Sequence, residues 1–258
     1  AYYPAEFMAA MLNSFLGNLD KIPIYINECK KSNIAILKPD INKSYTKFTA
    51  TDNSVRFGLG SIKNVGLAAV DAIVKERENG GEFKDFTDFA ERIYGEAVNK
   101  KCIESLIRAG AFDNMGKTRC TLIASYEQII DTIADSQKKN FTNQITMFDI
   151  SNSEEDIQKM KYNYMEMDEF SEKELLSMEK EMLGIYISGH PLEKYRKQLD
   201  EVTNFNTAQI EETMEQMTAG EKCDLQDGKS VKLAGVITKI KKKFTKSNKV
   251  MAFVTIED

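Results

Sequence analysis

The hydrophobic positions change period along the chain, and each change marks an element. Behind Pro4, which a first helical turn tolerates, Phe7, Met8, Met11, Leu12 and Phe15 recur at helical spacing and predict a helix over 4–16. "NLDKIPIYINECKKSN" predicts a second helix, with Asn18 or Asp20 as cap and Pro23 in its first turn. "IAIL" (34–37) reads as a short strand. "KFTATDNSVRFGL" reads as a β hairpin near 47–58, because β-forming residues flank the turn formers Asp52, Asn53 and Ser54. Helical spacing returns in "FKDFTDFAERI" (83–93), with Phe83, Phe86 and Phe89 on one side, and in a helix–turn–helix over 99–137 broken at Ala109–Phe112. It continues through 171–199, with a stop at Ser188–Pro191, and through 206–217. From Val231 the period drops to two: Val231, Leu233, Gly235 and Ile237 alternate, then Val250, Ala252, Val254 and Ile256. Two strands of a long hairpin, or the start of a small barrel, are expected there. The fold class is therefore mainly α, with a short β hairpin near 47–58 and further strands at the C-terminal end.

"GLGSIKNVGLAAVDAIVKER" (58–77) has the spacing of a helix-hairpin-helix element. Leu59 and Ile62 precede the link Lys63-Asn64-Val65-Gly66, after which Ala69, Ile73 and Arg77 step along a new helix by four. The amides of Asn64, Val65, Gly66 and Leu67 would stand at a helix N-terminus, where free N–H groups and the positive end of the helix dipole hold an anion. A DNA phosphate fits such a site without any base being read, and Lys63 adds charge. Asn64 stands where such hairpins usually carry their first glycine; Asn tolerates the left-handed backbone. A plain helix-turn-helix packing unit is the alternative. A second, more degenerate unit follows at Gly110, with Lys117 and Arg119 as candidates for the phosphate role. Two such units in tandem pack as a four-helix core.

Charge is distributed unevenly. The net value is −5, yet residues 150–222 hold seventeen acids against eight bases, while 228–258 are basic around "KIKKKFTKSNK". Lysines that neutralise phosphate release counterions, which makes the basic end the electrostatic candidate for nucleic acid. No apolar run of membrane-spanning length occurs, and "AYYPAEFMAAMLNSF" has no basic leader. A start at Ala1 and an end at "FVTIED" read as an excised fragment. Cys29, Cys102, Cys120 and Cys223 are widely spaced and His190 is the single histidine, so neither a zinc site nor a His-based triad is expected. Reduced thiols and a cytoplasmic location follow. The acidic run Glu154-Glu155-Asp156 reads as solvated charge, and His190, beside Pro191, as a turn residue.

Six blocks in order, "YPAEFMAAMLNS", "IYINECKKSNIAIL", "RFGLGSIKNVG", "NKKCIESLIRAGAFD", "EKEMLGIYISGHPLEKY" and "VKLAGVITKIKKKFTKSNKVMAFVTIED", resemble the C-terminal half of the bacterial DNA polymerase III alpha subunit. Lys38, where that family often has proline, and Asn64 are departures. The resemblance implies the end of a fingers region at 1–46. A tandem helix-hairpin-helix and sliding-clamp-binding domain would fill 47–150, followed by an acidic helical connector at 151–222 and a partial OB-fold at 223–258. It implies a DNA-directed DNA polymerase as parent, using Mg, with the catalytic aspartates outside this chain. No catalytic residue, metal site or cofactor is expected here.

The resemblance also explains "NQITMFDIS" (143–151), an apolar island among polar neighbours. "QITMF" is similar to the family's internal clamp motif, with Gln144 anchoring the polar end, Met147 and Phe148 as apolar plugs, and Ile145 adjusting fit. Each plug contributes about 1.5–3 kcal/mol on burial. After the cost of ordering, a micromolar affinity of roughly −8 kcal/mol is expected, sufficient where DNA already holds the partners together. The implied partners are DNA, the sliding clamp (beta subunit) and other replicase subunits. An OB-fold's grip on single strands would fall to Lys241, Lys243, Phe244 and Lys246. A stand-alone helix-hairpin-helix protein of repair type and a purely structural helical protein are the competing readings.

Overall fold

The computed structural model describes residues 2–16, 18, 21–141, 162–207, 209, 213, 228–245 and 248–258. The chain divides into two compact units, Ala1–Ser188 and Gly189–Asp258. The division falls inside the stretch 151–222 that the sequence reading assigns to a connector.

The first unit opens with α1 (Pro4–Ser14), which has Pro4 in its first turn and buries Ala5, Met8, Ala9 and Leu12, one helical face. α2 (Ile22–Lys31) buries Ile22, Ile26 and Cys29 at the same period. A three-stranded sheet follows, of β1 (Ala35–Leu37), β2 (Thr49–Thr51) and β3 (Ser54–Arg56), in the order β1-β3-β2. β2 and β3 form the expected hairpin, antiparallel, with Asp52 at φ 51° in its turn, and β1 lies parallel to β3. Asn13 ties α1 to this sheet through both ends of its amide. Its Nδ2 donates to the Phe48 carbonyl at 2.9 Å, and its Oδ1 accepts the Phe48 N–H at 2.8 Å.

One 3-10 turn, Leu59–Ser61, leads into α3 (Leu67–Gly80). The hairpin's first helix is reduced to that turn because the chain lies against its own backbone. Leu59 and Gly60 donate to the carbonyls of Tyr45 and Thr46, at 2.8 and 3.1 Å. A Cβ on Gly58 would stand 2.6 Å from the Lys47 carbonyl carbon, which leaves that position to glycine. α4 (Phe86–Ile93) is capped by Asp85, and α5 (Lys100–Arg108) by Asn99. Phe83, Phe86, Phe89 and Phe112 meet edge to face and tilted, with ring centroids 4.9–6.2 Å apart. α6 (Arg119–Phe141) packs on α4 and α5 through Leu122, Tyr126, Ile129 and Ile133.

Residues 162–170 form no regular element. They run as an extended strap back along α6, antiparallel to it. Met165 N–H donates to Ser125 Oγ at 2.8 Å and Met167 N–H to Thr121 Oγ1 at 2.9 Å, while Thr118 and Thr121 hydroxyls return to the Met167 carbonyl at 2.9 and 3.1 Å. α7 (Glu172–Leu183) begins in a capping box between Ser171 and Glu174 and ends at Gly184, φ 78°.

In the second unit, α8 (Arg196–Val202) precedes a two-stranded antiparallel sheet of β4 (Val236–Phe244) and β5 (Val250–Glu257), with a register irregularity between Ile237 and Lys239. The helix expected over 206–217 lies almost wholly outside the described residues.

Candidate nucleic-acid interface

The first hairpin turn is exposed at Lys63, Asn64, Gly66, Leu67 and Ala68 and anchored by Val65, which is buried. Asn64 takes the left-handed conformation, φ 64°, and its side-chain amide donates to Ser105 Oγ on α5 at 3.4 Å. Lys63 N–H donates to the Met182 carbonyl at 3.0 Å, and Val65 N–H closes the turn onto the Ile62 carbonyl at 3.1 Å. Val65 therefore has no amide to offer a ligand, although the sequence placed it in the anion site.

Gly66 is the N-cap of α3 and, having no side chain, supplies no cap bond. The amides of Gly66, Leu67 and Ala68 meet no acceptor among the described residues. Three exposed N–H groups thus open at the positive end of a fourteen-residue helix. Ala68 is a member that sequence reasoning missed. Its signal was the helix start at Leu67, which puts residue 68 in the first turn. Lys63 Nζ lies 3.8 Å from Glu181 Oε1 of α7.

The second hairpin is built differently. Gly110 has φ 81°, and its N–H is spent on the Ile107 carbonyl at 2.9 Å. Arg119 is interior, with 4% of its side chain exposed. Its Nε and Nη2 each meet Asp113 at 2.7 Å, Nη1 donates to the Arg108 carbonyl at 3.0 Å, and Glu179 Oε1 lies 3.7 Å from Nη2. Burial works against this charge, but Asp113 foremost, with Glu179 and Glu169, holds the guanidinium protonated above its ordinary range. Lys117 bonds Glu166 and sits 4.8 Å above the Tyr164 ring. The start of α6 is covered as well, since Glu169 accepts the N–H groups of Arg119 and Cys120. Gly110 and Arg119 therefore serve the interior of the second hairpin, and Lys117 is engaged by the strap.

In the second unit, strand register sorts the candidate single-strand residues by face. Lys239, Lys241 and Lys243 stand across from Thr255, Phe253 and Met251 on one face of the β4–β5 sheet. Lys243 Nζ is 5.7 Å from the exposed Phe253 ring. Phe244, paired with Val250, belongs to the opposite face, so the aromatic beside the lysines is Phe253, which sequence reading did not select.

Gln144, Ile145, Met147 and Phe148, together with Lys246 and the acids Glu154, Glu155 and Asp156, lie outside the described residues. His190 Nδ1 accepts the Leu192 N–H at 3.3 Å. No His, Cys, Asp or Glu group among the described residues gathers with metal-binding geometry, and no described helix is long and apolar enough to cross a membrane.

A helix-hairpin-helix motif family model matches residues 33–122, a stretch that contains both hairpin turns. The class of element read from the spacing at 58–77 is thereby identified. Over its whole length the chain is similar to DNA polymerase III subunit alpha of Borreliella burgdorferi and of Saccharopolyspora erythraea, 38% identical to each, and to that of Campylobacter jejuni, 36% identical. The resemblance drawn from six sequence blocks thus holds across the full chain. The chain spans about a fifth of the length of these relatives, 20–21% of each.

Proposed function

We propose that this chain is the DNA-guiding and clamp-tethering part of a replicative DNA polymerase, without catalytic residues of its own. It grips duplex DNA non-specifically, through backbone phosphate seated on the amides of Gly66, Leu67 and Ala68 beside Lys63. The observation that carries this is the bare, exposed start of α3, the one hairpin helix of the two whose first-turn amides are left open among the described residues. Whole-chain similarity to DNA polymerase III alpha subunits supports the replicative setting. Tethering is assigned to Gln144, Ile145, Met147 and Phe148, on the strength of their residue types and their place after the tandem hairpins. Lys239, Lys241, Lys243 and Phe253 make a basic, aromatic strand face suited to single-stranded template, as in the opening strands of an OB-fold.

Gly66→Asp tests the hairpin cleanly. A Cβ there meets nothing within 4 Å, and φ −77°, ψ 149° suits any residue. Asp is a preferred N-cap, so the variant should fold at least as well, while its carboxylate takes the phosphate position. Duplex affinity should fall about tenfold or more, and the salt dependence should flatten by about 0.9 per phosphate lost. Unchanged affinity and slope would refute the hairpin assignment. For the tether, replacing Met147 and Phe148 with Ala should abolish capture by the cognate sliding clamp and leave duplex binding intact. Retained clamp affinity would remove those residues from the interface.

A further inference from the structure

Beside the first hairpin, α5 and α7 enclose a pocket of about 240 Å³ that Lys63 and Asn64 also line. Three cations face it, Lys63, Lys101 and Arg108, against two acids, Glu104 and Glu181. Lys101 sits in the first turn of α5, at the positive end of the helix dipole, where a cation is disfavoured. It is exposed and has no carboxylate partner among the described residues. Arg108 Nη2 lies 2.9 Å from Glu181 Oε2 and Nη1 3.3 Å from Glu104 Oε1, while its Nε is buried without an acceptor. The other Glu181 oxygen lies 3.8 Å from Lys63.

Glu181 therefore spans two cations with its two oxygens, the arrangement a phosphodiester would adopt in the same place. The three side chains remain 30–46% exposed, so the ion pairs are exchangeable rather than locked. Lys63 and Asn64, which line the pocket, belong to the same exposed turn that leads into α3.

We propose that this pocket is a second backbone-phosphate subsite, filled by a phosphate neighbouring the one on the hairpin, and that Glu181 is the anion this phosphate displaces. Lys101 and Arg108 are its ligands, and Glu181 sets how much duplex affinity the face shows. The proposal rests on the reading that the first hairpin binds duplex backbone.

The test is a salt series of duplex titrations by fluorescence anisotropy on the full 258-residue chain, with thermal unfolding of each variant as a folding control. Lys101→Gln should weaken binding about threefold to tenfold and reduce the salt slope by about 0.9. Glu181→Gln should tighten binding by a similar factor and steepen the slope. Asp52→Asn, an equal change of charge on the β2–β3 turn that keeps a residue tolerant of φ 51°, should move neither. If Gly66→Asp weakens binding as expected while Lys101→Gln and Glu181→Gln leave affinity and slope as in the wild type, the subsite is overturned and the hairpin stands. If Asp52→Asn tightens binding as much as Glu181→Gln, net charge accounts for the effect and the subsite is again overturned. A wild-type chain without salt-dependent duplex binding sinks the hairpin reading and the subsite together.

Discussion

The carboxylate of Glu169 receives the backbone N–H of Arg119 at 2.9 Å, and through its other oxygen that of Cys120 at 3.2 Å. Helix α6 thus starts on an internal anion, whereas α3 starts bare. The two hairpins match one sequence pattern and end in opposite electrostatic states. Removing the cap with Glu169→Ala should cost about 1 kcal/mol, a fall in Tm of a few degrees readable by calorimetry. A melting temperature equal to wild type would show that the exposed carboxylate contributes nothing to α6.

A second prediction concerns the buried acid of α7. Glu179, 1% exposed at its side chain, faces Arg119 and accepts the N–H groups of Ile187 and Ser188 at 3.1 and 3.0 Å, as well as the Ser188 hydroxyl. Glu179→Ala strips three donors of their acceptor and weakens the compensation of a buried guanidinium. Urea denaturation should report a loss of about 3 kcal/mol or more. A loss below 1 kcal/mol would mean that water replaces the carboxylate without penalty.

Thiol chemistry offers a third. Burial pushes Cys29 and Cys102 up from 9.0 to about 11, in Cys29 with help from Glu28. At pH 8 both should resist a thiol reagent in the folded chain, and Cys120, which is partly exposed, should react first of the three. The folded values lie above the unfolded one. The stabilisation this represents is fully present below pH 9 and is lost as pH rises through about 11. Melting temperature should therefore hold up to pH 9 from this source and decline beyond it. Rapid labelling of Cys102 at pH 8 would contradict its burial on α5.

The β4–β5 face makes a fourth. Phe253→Ala should weaken binding of oligothymidine about tenfold, and Phe244→Ala should do less, because Phe253 shares its face with Lys239, Lys241 and Lys243. Equal effects of the two substitutions would show that the face assignment has no bearing on single strands.

What could be read from sequence followed from how local each signal was. The Phe83–Phe86–Phe89 spacing marked α4, and the alternation after Val231 anticipated a β4–β5 hairpin, because period alone encodes both. Lys117 and Arg119 looked alike in sequence as surface cations. They are separated by Asp113 and by Glu179, sixty residues further on than Arg119, and no local pattern reports such a partner. The strap at 162–170 was equally silent. "YNYMEMDEF" packs only Tyr162 and, in part, Tyr164 into the core, too short a signal to read, and the rest is held by backbone bonds to the hydroxyls of Thr121 and Ser125. Lys101 and Arg108 were missed as ligand candidates because their relevance arises only when α5 folds beside the Lys63–Gly66 turn.

The strap has a mechanical consequence. α6 closes at Phe141, and the strap that opens the next described stretch at Tyr162 is pinned along that same helix. A load applied at Tyr162 is therefore taken up by the helix that also carries Phe141. The load enters the hydroxyl pins of Ser125, Thr121 and Thr118 in shear, all at once, so traction is borne by the whole helical body rather than by a single loose end.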